Sequence, residues 1–214
     1  TDGMLVRECI IDPLLEKYSV VIIDEVHERS IHTDIALAIL KDLLTQGKRK
    51  DLKVVIMSAT VNAKIFMDYF NTKSYVSVKG RTFPVKVYNV LKETGGYIDM
   101  ALSCVLQILL SPDMEYGDIL VFLPGQEDIE DLDVLLRDRR GKLFDKENKE
   151  IMYDIFQLFS SMPYDQQMRV FVPSHNKRRK IILATNIAET SITIKNVKYI
   201  VDSGFFKMRK YFHS

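Results

Sequence analysis

In this 214-residue chain, Asp24-Glu25-Val26-His27-Glu28-Arg29 sets an aspartate and a glutamate side by side, with a histidine two residues further on. An aspartate in such a place can hold Mg²⁺, mostly through water because magnesium sheds its hydration shell reluctantly. A glutamate beside it can orient and deprotonate a water that attacks phosphorus. His27 and Arg29 then stand where a phosphate could be sensed. The same residues also read as a charged turn. Ser58-Ala59-Thr60 sets two hydroxyls around one small residue, and Thr185-Asn186-Ile187-Ala188-Glu189-Thr190-Ser191 offers hydroxyls and an amide at an expected helix N-terminus, an anion site in waiting. Both stretches also fit a plainer role, the capping of the helix that follows.

What these stretches share is the element in front of them. Each follows a β-branched apolar run: Val20-Val21-Ile22-Ile23 before Asp24, Val54-Val55-Ile56-Met57 before Ser58, Ile181-Ile182-Leu183-Ala184 before Thr185. Continuous apolar runs predict strands buried on both faces, as in a parallel sheet covered by helices, where ligands bind beyond the carboxyl ends of the strands. Asp118 to Leu123 and Val197 to Val201 predict two more strands. Helical spacing of apolar residues predicts helices over Thr33 to Leu44, Ala63 to Phe70, Tyr97 to Leu110, Gln126 to Arg139 and Tyr164 to Val172. The alternation argues an α/β fold with right-handed crossovers. Lys79-Gly80-Arg81-Thr82-Phe83-Pro84 breaks the pattern and predicts two lobes, 1–82 and 83–214. The charge-dense stretch Arg137 to Glu150 is expected to be a solvated helix end and loop.

Composition excludes several classes. Hydrophobic residues make up 47% and charged residues 28%, which suits a folded globular chain rather than a disordered or fibrous one. Thirty Lys and Arg against 29 Asp and Glu give a net charge of +1, so any basic site must be local. Two cysteines, Cys9 and Cys104, sit in apolar runs and read as reduced core thiols of an intracellular protein. The apolar run Met100 to Leu110 falls short of the roughly 20 residues of a membrane span, so no membrane partner is expected. The first methionine stands at position 4, which suggests a chain cut from something longer.

Taken together in this order, the motifs resemble those of the DEAH-box (DEAH/RHA) group of superfamily 2 helicases. Thr1-Asp2-Gly3-Met4-Leu5 looks like motif Ib, Asp24-Glu25-Val26-His27 like motif II and Ser58-Ala59-Thr60 like motif III. Gly80-Arg81-Thr82-Phe83-Pro84-Val85 looks like the junction between lobes, Leu120 to Glu127 like motif IV, and Ala184 to Ile194 like motif V. The resemblance implies two RecA-like lobes, the first truncated at its N-terminus, that clamp ATP or another nucleoside triphosphate with Mg²⁺ and grip single-stranded RNA. It implies Asp24 as the metal residue, Glu25 as the base and His27 as a third catalytic residue. Asp24, Glu25, Phe171 and Thr190 would bind nucleotide, Phe171 by stacking on the base, although it also reads as a core aromatic. Ser58 and Thr60 would couple nucleotide state to lobe closure. Thr1, Asp2, Gly125, Gln126, Thr185 and Asn186 would touch the nucleic-acid backbone, which positions a strand without reading its sequence. A nuclear location follows from the family alone, and an activator protein is unspecified.

The sequence departs from the pattern in four places. Val26 replaces the commoner alanine, and Val172 stands where an acidic residue often follows the stacking phenylalanine. The nine glycines include no Gly-x-x-x-x-Gly-Lys-Ser/Thr spacing, so the phosphate cradle is expected upstream of Thr1, and an arginine-rich motif VI is expected beyond Ser214. The chain alone is therefore expected to be inactive. Two alternatives stay open: a DNA-acting or dual-substrate helicase, and a non-catalytic RNA-binding scaffold.

Overall fold

The computed structural model describes residues 1–59, 63–78, 80, 83–90, 95–174, 178–189 and 193–207, and Thr60 and Thr190 lie outside them. The chain divides into two compact units, Thr1–Val85 and Lys86–Ser214.

The first unit pairs two parallel strands, β1 (Val20–Ile23) and β2 (Lys53–Ile56), with Val21 opposite Val54 and Ile23 opposite Ile56. Between them runs α2 (Ile31–Thr45), whose N-cap Ser30 accepts the Thr33 amide at 3.0 Å. Ala36, Leu37, Leu40 and Leu43, spaced three and four apart, turn one stripe of α2 into the core with Val21 and Ile23. Helix α1 (Asp2–Ile11) packs on α2 and buries Cys9, whose thiol pKa is pushed up chiefly by burial. The segment that leads into β1 is pinned by one side chain. Arg49 donates to the carbonyls of Leu14 and Leu15 at 2.7 Å and of Tyr18 at 2.8 Å while paired with Asp51. Helix α3 (Ala63–Phe70) follows β2.

This sheet corrects one expectation. Burial alternates along β1, leaving Val20 46% and Ile22 58% exposed, and Val55 of β2 is exposed as well. The continuous apolar run therefore does not mark a strand covered on both faces, because among the described residues the helices of this unit lie against one face only.

The second unit holds a four-stranded, all-parallel sheet in the order β4-β5-β3-β6: β3 (Asp118–Phe122), β4 (Tyr153–Leu158), β5 (Arg179–Ala184) and β6 (Val197–Asp202). On one face Ile119, Val121, Ile181 and Leu183 meet α4 (Tyr97–Leu110) and α5 (Gln126–Asp138) through Leu102, Val105, Ile129, Leu132 and Leu136. On the other face Leu120, Ile182, Ala184 and Leu158 meet Val170 and Ala188. The central strands are thus covered twice, as their composition predicts. Helix α6 (Tyr164–Met168) stops early and passes into a 3₁₀ turn at Arg169–Phe171, so the helix expected over Tyr164 to Val172 is two short elements. Strand β4 and helix α1 were not predicted. Within the charged stretch, Phe144 and Glu150 form an antiparallel bridge, so part of the expected loop is a tight hairpin.

Candidate active site

Pairing of β1 with β2 brings the acidic loop and the hydroxyl segment together. The ladder runs past the strand ends, with the Met57 amide donating to Ile23 at 2.8 Å and the Val26 amide to Met57 at 3.2 Å. The chain then turns sharply, with both Glu25 and Arg29 in the left-handed region at φ 50° and 52°, around a 3₁₀ turn at Val26–Glu28. Val26 is fully buried and anchors the turn. Asp24 is exposed, and its Oδ1 accepts the Glu25 amide at 2.8 Å. His27 is the meeting point: its Nδ1 lies 3.3 Å from a Glu25 carboxylate oxygen and accepts the Ala59 amide at 3.4 Å. One nitrogen cannot serve both at once. With Nδ1 bare the ring accepts from Ala59, and with a hydrogen on Nδ1 it donates to Glu25. Arg29 does not reach a phosphate-like position free of partners, since its guanidinium forms a two-pronged pair with Asp34 at 2.8 and 2.9 Å.

Among the described residues no group of three or more His, Cys, Asp or Glu could hold a metal ion. A lone Asp24 carboxylate with one oxygen left to solvent suits Mg²⁺, which is held through one or two carboxylates together with substrate phosphates and waters. The donor set fits such an ion and would not fit zinc.

Thr1 and Asp2 form the start of a helix. Thr1 is the N-cap of α1, and Asp2 accepts a hydrogen bond from Thr33, which also bonds Ser30. This buried Thr33 link ties the head of α1 to the head of α2, a function that helical spacing alone does not reveal.

In the second unit the predicted residues line the carboxyl ends of the strands. The Leu123 amide donates to Ala184 at 2.9 Å, Thr185 to Leu158 at 3.1 Å and Ser203 to Phe122 at 3.2 Å, which stitches the loops after all four strands into one edge. Gly125 caps α5, and the ammonium of Lys207 lies over it. Gln126 donates to Glu130 and accepts from Ser161. Tyr97 donates to Asp128 at 2.6 Å, which raises the phenol's pKa, and its ring stands 5.2 Å from Phe205. Thr185 and Asn186 begin a three-residue 3₁₀ turn, Asn186–Ala188, in place of the expected helix N-terminus. Phe171 closes its 3₁₀ turn with the ring partly exposed beside fully buried Val170. Ser58 stands two residues beyond the end of β2 and is partly buried.

Known proteins place this architecture. A model of the helicase conserved C-terminal domain matches residues 100–212, more than half of the chain. The chain is 38% identical to a pre-mRNA-splicing factor ATP-dependent RNA helicase, DEAH10, of Arabidopsis thaliana, covering 99% of this chain and 34% of that protein. It is 44% identical to the human ATP-dependent RNA helicase DHX33, covering 99% of this chain and 30% of that one. The chain thus spans about a third or less of the length of these curated relatives. The crystal structure of the Escherichia coli DEAH/RHA helicase HrpB superposes with a TM-score of 0.77 at 34% identity, over 94% of this chain and 24% of that one. The parallel sheets, the acidic turn after β1 and these likenesses lead to one conclusion: the chain belongs to the helicase conserved C-terminal domain family and is a stretch of a DEAH-box helicase core.

Proposed function

We propose that this chain forms part of an ATP-dependent RNA helicase, with Thr1–Val85 contributing to the first lobe of the engine and Lys86–Ser214 to the second. The observation that carries the reading is the position of His27 Nδ1, within reach of both a Glu25 carboxylate oxygen and the Ala59 amide, since it places the carboxylate that would do the chemistry beside the segment that would report it. Glu25 takes the proton of the attacking water as general base. Asp24 would hold Mg²⁺, which when bound neutralises charge on the phosphates. His27, with Nδ1 beside a Glu25 carboxylate oxygen and the Ala59 amide, holds Glu25 in place. Ser58 and Thr60 relay the nucleotide state. Phe171 stacks on the nucleotide base, and Thr190 completes the nucleotide contacts. Thr1, Gly125, Gln126, Thr185 and Asn186 touch the backbone of single-stranded RNA, with Asp2 acting through its bond to Thr33. The plant relative's name as a splicing factor supports work in the nucleus. Lacking a Gly-Lys-Ser/Thr phosphate loop, the 214 residues alone do not turn ATP over.

The test compares two variants of the full-length protein. Glu25→Gln should lower ATP hydrolysis by about 10²-fold or more, the scale of a lost general base, with nucleotide binding retained. Ser58→Ala with Thr60→Ala should keep hydrolysis and lose strand separation. Parallel losses of both activities with a lowered melting temperature would return Ser58-Ala59-Thr60 to a capping role, and full hydrolysis by Glu25→Gln would end the assignment of the base.

A further inference from the structure

Lys180 is the most deeply buried cation among the described residues, at 5% exposure, and is the second residue of β5. On β5 it shares a face with Ile182 and Ala184, which sit in the core beneath Val170. A lysine in a strand flank ordinarily extends its stem to water. This one turns its ammonium inward, where Nζ donates to the carbonyl of Val170 at 2.9 Å and to that of Val172 at 3.1 Å. Those two carbonyls bracket Phe171. The amide of Lys180 donates to Oδ1 of Asp118 at 2.9 Å, and Oδ2 of the same carboxylate lies 3.9 Å from the ammonium. Asp118 is itself 2% exposed. The Phe156 ring lies 5.9 Å from the ammonium on its remaining side.

Burial of a charge is costly unless hydrogen bonds and a counter-charge replace the lost water. Here they do, and the bonds are spent on the backbone either side of one partly exposed aromatic. The 3₁₀ turn Arg169–Phe171 is too short to hold its own direction, since it closes a single turn before the chain becomes extended at Val172. Val170 is held by packing and by the ammonium, and the Val172 carbonyl by the ammonium, so the backbone is fixed on both sides of Phe171.

We propose that Lys180, seated on Asp118, is a positioning residue that aims the Phe171 ring at the nucleotide base. The inference rests on the reading of Phe171 as the stacking residue. It assigns Lys180 no contact with substrate.

The experiment measures steady-state kinetics of the full-length protein with ATP and with ribose 5′-triphosphate, which carries no base. Phe171→Ala should raise the KM for ATP by about tenfold, within the range seen when a base loses its aromatic partner, and leave the KM for ribose triphosphate unchanged. Lys180→Met keeps the aliphatic stem and removes the ammonium. It should raise the KM for ATP several-fold, leave kcat and the KM for ribose triphosphate near the parent values, and add nothing when combined with Phe171→Ala. Lys180→Arg, which keeps charge and donors, should restore part of the loss. If Lys180→Met melts below the assay temperature, Asp118→Asn supplies the same comparison with a smaller shift, because the ammonium then lacks its counter-charge. A shift with Phe171→Ala but none with Lys180→Met or Asp118→Asn overturns the positioning role and spares the stack. Equal losses on both substrates make Lys180 a fold residue only. No shift with Phe171→Ala removes the stack itself, and this inference with it.

Discussion

The central strands of the second unit are covered by apolar side chains on both faces, and those of the first unit on one. Sequence makes no such distinction, since Val20-Val21-Ile22-Ile23 and Ile181-Ile182-Leu183-Ala184 are nearly interchangeable as strings. In the second unit Ile181 and Leu183 face α4 and α5 while Ile182 and Ala184 face Val170 and Ala188. In the first, Val21 and Ile23 face α2 while Val20 and Ile22 face outward. A continuous apolar run reports what a strand requires on each face and not what the described residues supply. Transfer of an apolar side chain from water is favourable at roughly 25 cal/mol per Å² wherever it occurs, so the outward row on β1 and β2 is stabilisation not yet collected.

The largest effect that would break this comparison is the same deletion made at both places. Ile181→Ala should cost about 2–5 kcal/mol, as a fully buried side chain leaves a cavity. Ile22→Ala should cost under about 0.5 kcal/mol, the usual scale of a surface change. Hydrogen exchange of amides in β5 and β1 reads each unit separately, and equal losses would mean that the outward face of β1 is covered in solution. Ser30→Ala comes next. It removes the cap that accepts the Thr33 amide and should cost the first unit about 1 kcal/mol, whereas no change would mean that Asp2 takes over the cap through Thr33. The smallest effect is a matter of acid. The Arg29 guanidinium beside Asp34 holds its carboxyl below the ordinary value. A group lowered on folding contributes above its unfolded pKa and loses that contribution as pH falls through the folded value. Melting of the first unit should therefore fall a little more steeply from about pH 5 downward than in Asp34→Asn. Both partners are about half exposed, so screening keeps the difference small, and identical acid limbs would remove the pair from the account.

Strand runs ending at small or acidic residues made the positions of Asp24, Ser58 and Thr185 legible, because β-branched runs and the polar residues that stop them are local signals. Helix α1 was not legible: Gly3 lies in its first turn, Ile10 and Ile11 are exposed, and only Cys9 is buried, so no apolar stripe betrays it. Strand β4 hid because Asp154 and Gln157 interrupt it and a charged stretch precedes it. Within the site, the His27 contact with Ala59 depends on β1 pairing with β2 in one register, and no spacing along the chain encodes that. Lys180 escaped sequence reading for the same reason, since its partners lie 8 and 10 residues back in sequence and across the sheet at Asp118.

The left-handed backbone at Glu25 has a consequence for how this protein could change. A residue with a Cβ in that conformation gives up about 1–2 kcal/mol that glycine would not, and under the proposed function the carboxylate at this position takes a proton that glycine could not. Selection for a firmer fold and selection for turnover therefore pull position 25 in opposite directions. A descendant released from hydrolysis should drift toward glycine or asparagine at this turn and gain thermal stability as it does, so that a more robust relative is, at this position, the less active one.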